Sequence, residues 1–352
     1  MKNNLSNISW LSITENSMDT LMDFSVNTNP FGVPDTVIDN LPKIKEAVSF
    51  YPDPECSLLT KLLAGRYQVP ENTVLFGNGA DDLLYRLAFA VKPKKALIIE
   101  PTYEEYARAF EKTGCEIVRY QLNAEENFEV DQAVLSAIQS DLDIVLLCNP
   151  NNPTGRLANQ EIVEQMIEKC KQSHILLAVD ECFIEFLPEW QKYSVKRQAA
   201  LSQNIIVLDA FTKTYSLAGF RLGYCISGNH QLLREMRSQG PDYCISVPAQ
   251  FAGICALMDD AYLPKTYEFL EKERAWLYSE LCSMNIKTIS SQTNYFLFQS
   301  RQADIRERLR EQGIKTRDCS QFFGLDAAYC RIAIKQHREN EKFVAAMKKI
   351  LL

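Results

Sequence analysis

The chain has 352 residues, 46% of them hydrophobic, which is enough for two domains or for one large domain with an appendage. Its formal net charge of −7 argues against a general nucleic-acid-binding protein, because such binding needs clustered Lys and Arg. No signal peptide and no run of about 18 apolar residues is visible, so we expect a cytoplasmic protein without a membrane span. Eleven scattered cysteines without a Cys-x-x-Cys pair are typical of free thiols in a reducing compartment. The three histidines have no metal-ligand spacing, so we expect no metal site.

Short apolar runs in the first two thirds of the chain predict strands that are buried on both faces. They lie at residues 74–76, 96–99, 144–147, 175–179 and 205–208. Between two of them, residues 160–172 carry apolar side chains at helical spacing. Continuous apolar strands separated by helices predict a parallel sheet with helices on both faces.

The last hundred residues have a different pattern. A long charged amphipathic helix is predicted over residues 262–282, followed by a strand at 295–298 and a helix at 303–312. A strand at 329–334 and a helix at 339–351 complete the pattern. This pattern predicts a smaller α+β unit, which residues 1–45 are expected to join because they precede the first α/β repeat.

Polar and small residues follow several of the predicted strands, at the edge where open α/β sheets bind ligands. Asn-Pro-Asn-Asn-Pro-Thr-Gly occupies residues 149–155, Asp180 follows the fourth strand, and Lys213 follows the fifth. Gly-Asn-Gly-Ala-Asp-Asp at residues 77–82 opens an apolar helix. Taken singly, each has a structural explanation: a turn, a tight loop, a helix cap or a solvated lysine.

Taken together, these residues form the donor set for one cofactor. The Lys213 amine can bind an aldehyde covalently, and a glycine-rich helix start with Arg221 can hold a phosphate. Asp180 can keep a pyridine nitrogen protonated, an asparagine can hydrogen-bond a ring hydroxyl, and Tyr103 can stack on the ring. The set predicts pyridoxal 5′-phosphate.

The same motifs, in this order, resemble the fold-type I pyridoxal-phosphate enzymes of aminotransferase class I/II. The motifs are Tyr51-Pro, Gly77-Asn-Gly79, Pro101-Thr-Tyr103, Asn151-Asn-Pro-Thr-Gly155, Asp180-Glu181, Thr212-Lys213 and Gly219-x-Arg221-x-Gly223. The likeness runs from about Asp23 to the C-terminal end. It implies an α/β fold of the PLP-dependent transferase type I, with a mostly parallel seven-stranded sheet in a large domain and a smaller α+β domain. We expect the large domain at residues 46–258 and the small domain at residues 1–45 and 259–352.

The resemblance also assigns residues to the cofactor. It implies that Lys213 binds the cofactor aldehyde and that Asp180 pairs with the pyridinium nitrogen, both as catalytic residues. Asn152 would meet the ring hydroxyl and Tyr103 would stack on the ring. The phosphate would be held by Gly79, Ala80, Asp81, Thr212 and Arg221. The family is typically a homodimer with active sites at the interface, and Tyr51 resembles the residue that reaches the cofactor phosphate in the other subunit.

Two branches of the family are most similar, and both take phosphorylated small molecules: histidinol-phosphate aminotransferases and threonine-phosphate decarboxylases. Arg331 resembles the arginine that binds the substrate α-carboxylate, Arg317 the one that binds the substrate phosphate, and Asn27 a substrate-side asparagine. The stretches at residues 23–34, 180–186 and 324–331 look more like the decarboxylases. We therefore expect a pyridoxal-phosphate enzyme that acts on a phosphorylated amino acid, foremost as an L-threonine-O-3-phosphate decarboxylase.

Three departures and two alternatives accompany this expectation. Position 210 is usually Ser and is Ala here, and position 183 is Tyr in most aminotransferases but Phe here, as in the decarboxylases. The decarboxylases also carry His-Gly-Gly near the N terminus, where this chain has Lys-Asn-Asn-Leu-Ser-Asn at residues 2–7. The first alternative is an aminotransferase that uses glutamate and 2-oxoglutarate. The remote alternative, a non-catalytic cofactor-binding protein, would not need to keep Lys213.

Overall fold

The computed structural model describes residues 21–351. Residues 2–7, where the His-Gly-Gly of the decarboxylases would lie, are therefore outside the described part. In that part the strands are β1 Met22–Asp23, β2 Val74–Gly77, β3 Lys95–Glu100, β4 Glu116–Gln121, β5 Ile144–Cys148, β6 Leu176–Asp180, β7 Ile205–Ala210, β8 Gly223–Ile226, β9 Lys287–Thr288, β10 Tyr295–Gln299, β11 Ile314–Lys315, β12 Arg317–Asp318 and β13 Tyr329–Ala333. The α-helices are α1 Asp35–Asn40, α2 Ser57–Tyr67, α3 Ala80–Val91, α4 Glu105–Glu111, α5 Val134–Ala137, α6 Gln160–Gln172, α7 Lys196–Ala200, α8 Phe211–Thr214, α9 His230–Ser238, α10 Val247–Leu257, α11 Tyr262–Ser283, α12 Ile305–Glu311 and α13 His337–Leu351.

Among residues 21–351, seven strands form one sheet in the order β2-β8-β7-β6-β5-β3-β4. The pairs from β7 through β4 are parallel, whereas β8 runs antiparallel to both of its neighbours, β7 and β2. The carboxyl ends of β3, β5, β6 and β7 therefore meet at one edge of the sheet. The mostly parallel seven-stranded sheet predicted from the sequence is confirmed.

The central strands are apolar throughout because both of their faces are covered. Along β3, Leu97 and Ile99 belong to the cluster that includes α6, while Ala96 and Ile98 belong to the cluster that includes α3, α4 and α9. All five residues of β5 are buried. Successive side chains point to opposite faces of a strand, so a sheet between two helical layers needs apolar residues at every position.

The C-terminal part forms a second sheet with its own core. Strands β12, β13, β10 and β9 pair antiparallel in that order, and helices α11, α12 and α13 pack against them. Strand β1 pairs in parallel with β11, so the chain near Met22 lies beside this unit. Farther along, the side chain of Thr36 in α1 donates a hydrogen bond to the backbone of Cys255 in α10. The division at residues 45–46 and 258–259 stays a prediction.

Two further findings concern residues 21–351 only. None of their helices is long and apolar enough to cross a bilayer. Their His, Cys, Asp and Glu side chains form no group of three or more that could hold a metal ion.

Candidate active site

A cavity of about 620 Å³ opens at the carboxyl edge of the large sheet. Asp180 reaches it from the last position of β6, and Lys213 reaches it from α8, directly after β7. The second sheet contributes residues from the opposite side. Of the side chains predicted from the sequence, the lining contains Asn27, Ala80, Asp81, Tyr103, Asn152, Asp180, Thr212, Lys213, Arg221, Arg317 and Arg331. Gly79 directly precedes this lining, whereas Tyr51 lies outside it.

Lys213 is held in the cavity as a weak base. Its Nζ donates a hydrogen bond to Asn27 Oδ1 at 3.1 Å and lies 5.9 Å from the centroid of the Phe183 ring. Burial, followed by the positive charge of Arg331, lowers the pKa of Lys213 to about 8. A substantial neutral fraction near physiological pH makes this amine a nucleophile toward a carbonyl group.

The carboxylate of Asp180 is fixed from two sides. Its Oδ2 accepts a hydrogen bond from Tyr106 Oη at 2.5 Å, and its Oδ1 accepts one from the backbone N–H of Cys182 at 2.9 Å. Tyr106 in α4 also makes an edge-to-face contact with Tyr103, with ring centroids 5.6 Å apart. The carboxylate and the Tyr103 ring are therefore positioned by a common neighbour.

The start of α3 forms a cradle for an anion. Gly79, with φ +88°, precedes the helix, and no described side chain caps it. A Cβ at Gly79 would lie 2.7 Å from Arg221 Nη2, and one at Gly223 would lie 2.5 Å from the Gly79 carbonyl carbon. The missing side chain at Gly79 leaves room for the Arg221 guanidinium, and the missing side chain at Gly223 leaves room for the backbone at Gly79. Free N–H groups at a helix start, next to a guanidinium, are typical of a phosphate site.

The outer part of the cavity contains further guanidinium groups, and those of Arg331 and Arg317 come from the second sheet. Arg331, buried in β13, donates hydrogen bonds to Asn152 Oδ1 and to the Ser25 carbonyl oxygen. Its Nε and the Asn27 Nδ2 are buried without a hydrogen-bond partner in the described structure. Buried donors of this kind are costly unless a ligand satisfies them. Arg317 lies closer to the mouth, with its guanidinium carbon 5.6 Å from the Phe322 ring centroid.

Two of the three departures from the family pattern, Ala210 and Phe183, lie in the cavity lining. Ala210 ends β7 and offers no hydroxyl there, and Phe183 packs with its ring edge-to-face against Tyr295, at 5.0 Å between centroids. Phe183 therefore supplies an apolar wall where a tyrosine would supply a donor.

Sequence reasoning missed several residues of the cavity. Tyr106 and Cys182 contact Asp180, and Glu104 contacts Arg317. One signal was available, since Tyr106 lies three residues after Tyr103 and so on the same side of a helical turn. The Glu104 contact joins residues 213 positions apart and has no local signal.

Three comparisons agree on the family. The family model described as "Aminotransferase class I and II" matches residues 19–347. The threonine-phosphate decarboxylase of Salmonella typhimurium is 36% identical, over 95% of this chain and 92% of that protein. The histidinol-phosphate aminotransferase of Methanosphaera stadtmanae is 31% identical, over 95% and 91% of the two chains. The crystal structure of the histidinol-phosphate aminotransferase from Clostridium acetobutylicum superposes with a TM-score of 0.88 at 28% identity, covering 94% of this chain and 99% of that one. The chain belongs to the aminotransferase class I and II family, and its fold is that of the fold-type I enzymes.

Proposed function

We propose that the protein is a pyridoxal-phosphate enzyme that decarboxylates L-threonine-O-3-phosphate to an aminopropanol phosphate. One observation carries the proposal: a lysine of lowered pKa lies between an anion cradle and two guanidinium groups in a single cavity. The cradle and the lysine suit a phosphorylated aldehyde, and the two outer guanidinium groups suit a substrate with two anionic ends. The 36% identity to a threonine-phosphate decarboxylase supports this choice of substrate.

The residues of the cavity fit the cofactor. Lys213 would bind its aldehyde, Asp180 its ring nitrogen and Asn152 its ring hydroxyl, with Tyr103 on the ring face. Its phosphate would be held by Gly79, Ala80, Asp81, Thr212 and Arg221. When bound, the protonated ring withdraws electrons from the substrate Cα, which is the chemistry that the side chains of this site cannot supply alone.

The outer residues would orient the substrate. Arg331, with its unpaired buried Nε, would bind the α-carboxylate, and Arg317 would bind the phosphate as a charge-assisted pair. Asn27, with its unpaired Nδ2, would complete the substrate side. Two anchors at opposite ends would fix the orientation of the substrate in the cavity. The Lys213 amine could move a proton at the substrate Cα.

A homodimer is part of the proposal. Large apolar side chains are exposed on one stretch of the surface, among them Phe50 at 73% and Tyr51 at 83%. The Tyr51 ring packs against Tyr243, itself half exposed, at 5.1 Å between centroids. Such a patch on a family member is typical of a subunit interface. From there Tyr51 would contact the cofactor phosphate of a second copy, since it does not line the cavity of its own chain.

The alternative is a histidinol-phosphate-type aminotransferase, and the structural likeness to the Clostridium enzyme supports it. In that reaction, Arg331 would bind the carboxylate of glutamate, and Arg317 would bind the phosphate of histidinol phosphate. A non-catalytic role is disfavoured by Lys213 and its lowered pKa.

Product analysis distinguishes the two reactions. The purified holoenzyme would be given threonine phosphate without an oxo acid, and separately histidinol phosphate with 2-oxoglutarate. We expect CO₂ from the first mixture and no glutamate from the second. Glutamate formation without CO₂ release would replace the decarboxylase by the aminotransferase.

Arg317→Ala should raise KM steeply for the phosphorylated substrate. The loss of binding free energy should be on the order of 2–4 kcal/mol, because a desolvated phosphate loses its partner.

A further inference from the structure

Glu104 lies between two guanidinium groups at the mouth of the cavity. Its Oε1 is 3.5 Å from Arg317 Nη2, and its Oε2 is 3.1 Å from Arg108 Nη2. The Glu104 side chain is 14% exposed, against 40% for Arg317 and 56% for Arg108. All three residues line the cavity. The carboxylate is thus the least exposed member of the cluster, and it shares the mouth of the cavity with the arginine that we assign to the substrate phosphate.

The neighbouring glutamate has a different role. Glu105 accepts hydrogen bonds from Arg108 at 2.6 Å and from Tyr85 Oη at 3.0 Å, and no contact joins it to Arg317 in the described structure. Counted together, the two arginines and the two glutamates have no net charge. The entrance to a cavity otherwise rich in guanidinium groups is therefore electrically balanced before a ligand arrives.

An entering phosphate must share Arg317 with Glu104. Arg317 contacts Glu104 through one nitrogen at the outer limit of an ion pair and rests on the Phe322 ring, so its other donors remain available. The Phe322 contact would keep the guanidinium in place without Glu104. The phosphate, in contrast, would meet the Glu104 carboxylate within a few ångströms. Two like unit charges about 4 Å apart repel by about 1 kcal/mol in bulk water, which is about fivefold in a binding constant, and by more where water is partly excluded.

We propose that Glu104 is a further binding-site residue: a built-in counter-ion of Arg317 that competes with the substrate phosphate and thereby weakens phosphate binding at this site. The inference rests on the proposed function, in which Arg317 receives a phosphate. When the ligand leaves, Glu104 pairs with Arg317 again, so the guanidinium is not left without a partner. A product that keeps its phosphate therefore dissociates faster than it would from a site in which Arg317 had no counter-ion.

Glu104→Gln tests this directly, with Glu105→Gln as the matched control. The dissociation constant for inorganic phosphate would be measured by calorimetry on the holoenzyme, whose cofactor site is already filled. We expect Glu104→Gln to bind phosphate at least about fivefold more tightly than wild type. Glu105→Gln should have a clearly smaller effect, and Glu104→Gln/Arg317→Ala should lose the gain. In turnover of threonine phosphate, the change should appear as a lower KM rather than a higher kcat.

Phosphate binding by Glu104→Gln that is equal to or weaker than that of wild type would overturn the counter-ion role, and so would an equal gain in Glu105→Gln. A gain that survives Arg317→Ala would also overturn it, because the phosphate would then be bound elsewhere. These outcomes are independent of the proposed reaction, which fails separately if threonine phosphate yields no CO₂.

Discussion

Two lysines lie near the same sheet edge, Lys196 buried and Lys213 half-buried, and their surroundings are opposite. Lys196, 1% exposed, has its Nζ at 2.8 Å from both Glu181 Oε2 and Asp209 Oδ2. Burial opposes its charge, but the carboxylates of Asp209 and Glu181 outweigh burial and raise its pKa. Lys213 has an amide as its hydrogen-bond partner, and burial together with Arg331 lowers its pKa to about 8.

The comparison shows that burial alone does not make a lysine reactive. The two lysines lie on opposite sides of the same strand ends, because Asp209 and Ala210 are neighbours on β7 and point to opposite faces. On one side, Lys196 joins β6 to β7 as a fixed cation. On the other, Lys213 has no carboxylate as a hydrogen-bond or ion-pair partner among residues 21–351, so its amine remains available to an aldehyde.

The largest expected effect is on catalysis. Lys213→Ala should reduce turnover by several orders of magnitude, because the covalent attachment and the proton transfer are both lost. Its circular dichroism spectrum should match that of wild type. If a folded Lys213→Ala protein keeps its turnover, Lys213 has no catalytic role and in this respect does not differ from Lys196.

The second effect is on stability and involves the other lysine. Lys196→Ala should lower the free energy of unfolding by about 3–5 kcal/mol, because two buried carboxylates lose their cation. Denaturant unfolding of the cofactor-free protein measures this, with cofactor-free Lys213→Ala as the control, which we expect to change by about 1 kcal/mol or less. Equal losses in the two variants would show that Lys196 has no special structural role.

A third change converts one environment into the other. As the pH falls below about 8, a growing share of the Lys213 amine is protonated and cannot attack an aldehyde, so the rate of covalent cofactor capture by the cofactor-free protein should rise with pH through about 8 and then level off. Asn27→Asp places a carboxylate beside the amine, as at Lys196. It should move the midpoint up, toward the ordinary value of 10.5. Stopped-flow absorbance at a series of pH values measures both midpoints, with Lys213→Arg as the blank. An unmoved midpoint would contradict the electrostatic explanation.

The smallest expected effect is at Ala210. Ala210→Ser adds a hydroxyl on the Lys213 side of β7 and should strengthen cofactor binding by about 1 kcal/mol, the net contribution of one hydrogen bond. Fluorescence titration of the cofactor-free protein gives the dissociation constant. Unchanged or weaker binding would show that the hydroxyl does not face the cradle.

Periodic patterns predicted most of the fold. Five of the seven strands of the large sheet begin and end within one or two residues of the predicted apolar runs, whereas β4 and β8 were not among those runs. Helix α6 spans residues 160–172, as the helical spacing predicted. Strand-end position and residue chemistry also predicted Asp180, Lys213 and the glycine-rich start of α3 at the cavity, since ligands bind at that edge of a parallel sheet. Asn27, Arg317 and Arg331 were expected from the family resemblance instead. The roles of those residues stay predictions.

Contacts between distant segments could not be predicted. Glu104 and Arg317 come from the two sides of the cavity, and Glu181, Lys196 and Asp209 meet only because two strands and α7 pack together. A single sequence carries no periodic signal for such pairs. The sequence therefore predicted a reactive lysine. It could not show that Lys196 is paired with two carboxylates, because those contacts exist only in the folded structure.

The most direct test is to locate the covalently bound cofactor. The holoenzyme would be treated with borohydride, digested and mapped by mass spectrometry, in parallel for wild type, Lys213→Arg and Lys196→Arg. We predict that the mass of the reduced cofactor is found on Lys213 in wild type and in Lys196→Arg, and is absent from Lys213→Arg. A label on another lysine, or no label in a protein that retains the cofactor, would contradict the assignment of Lys213.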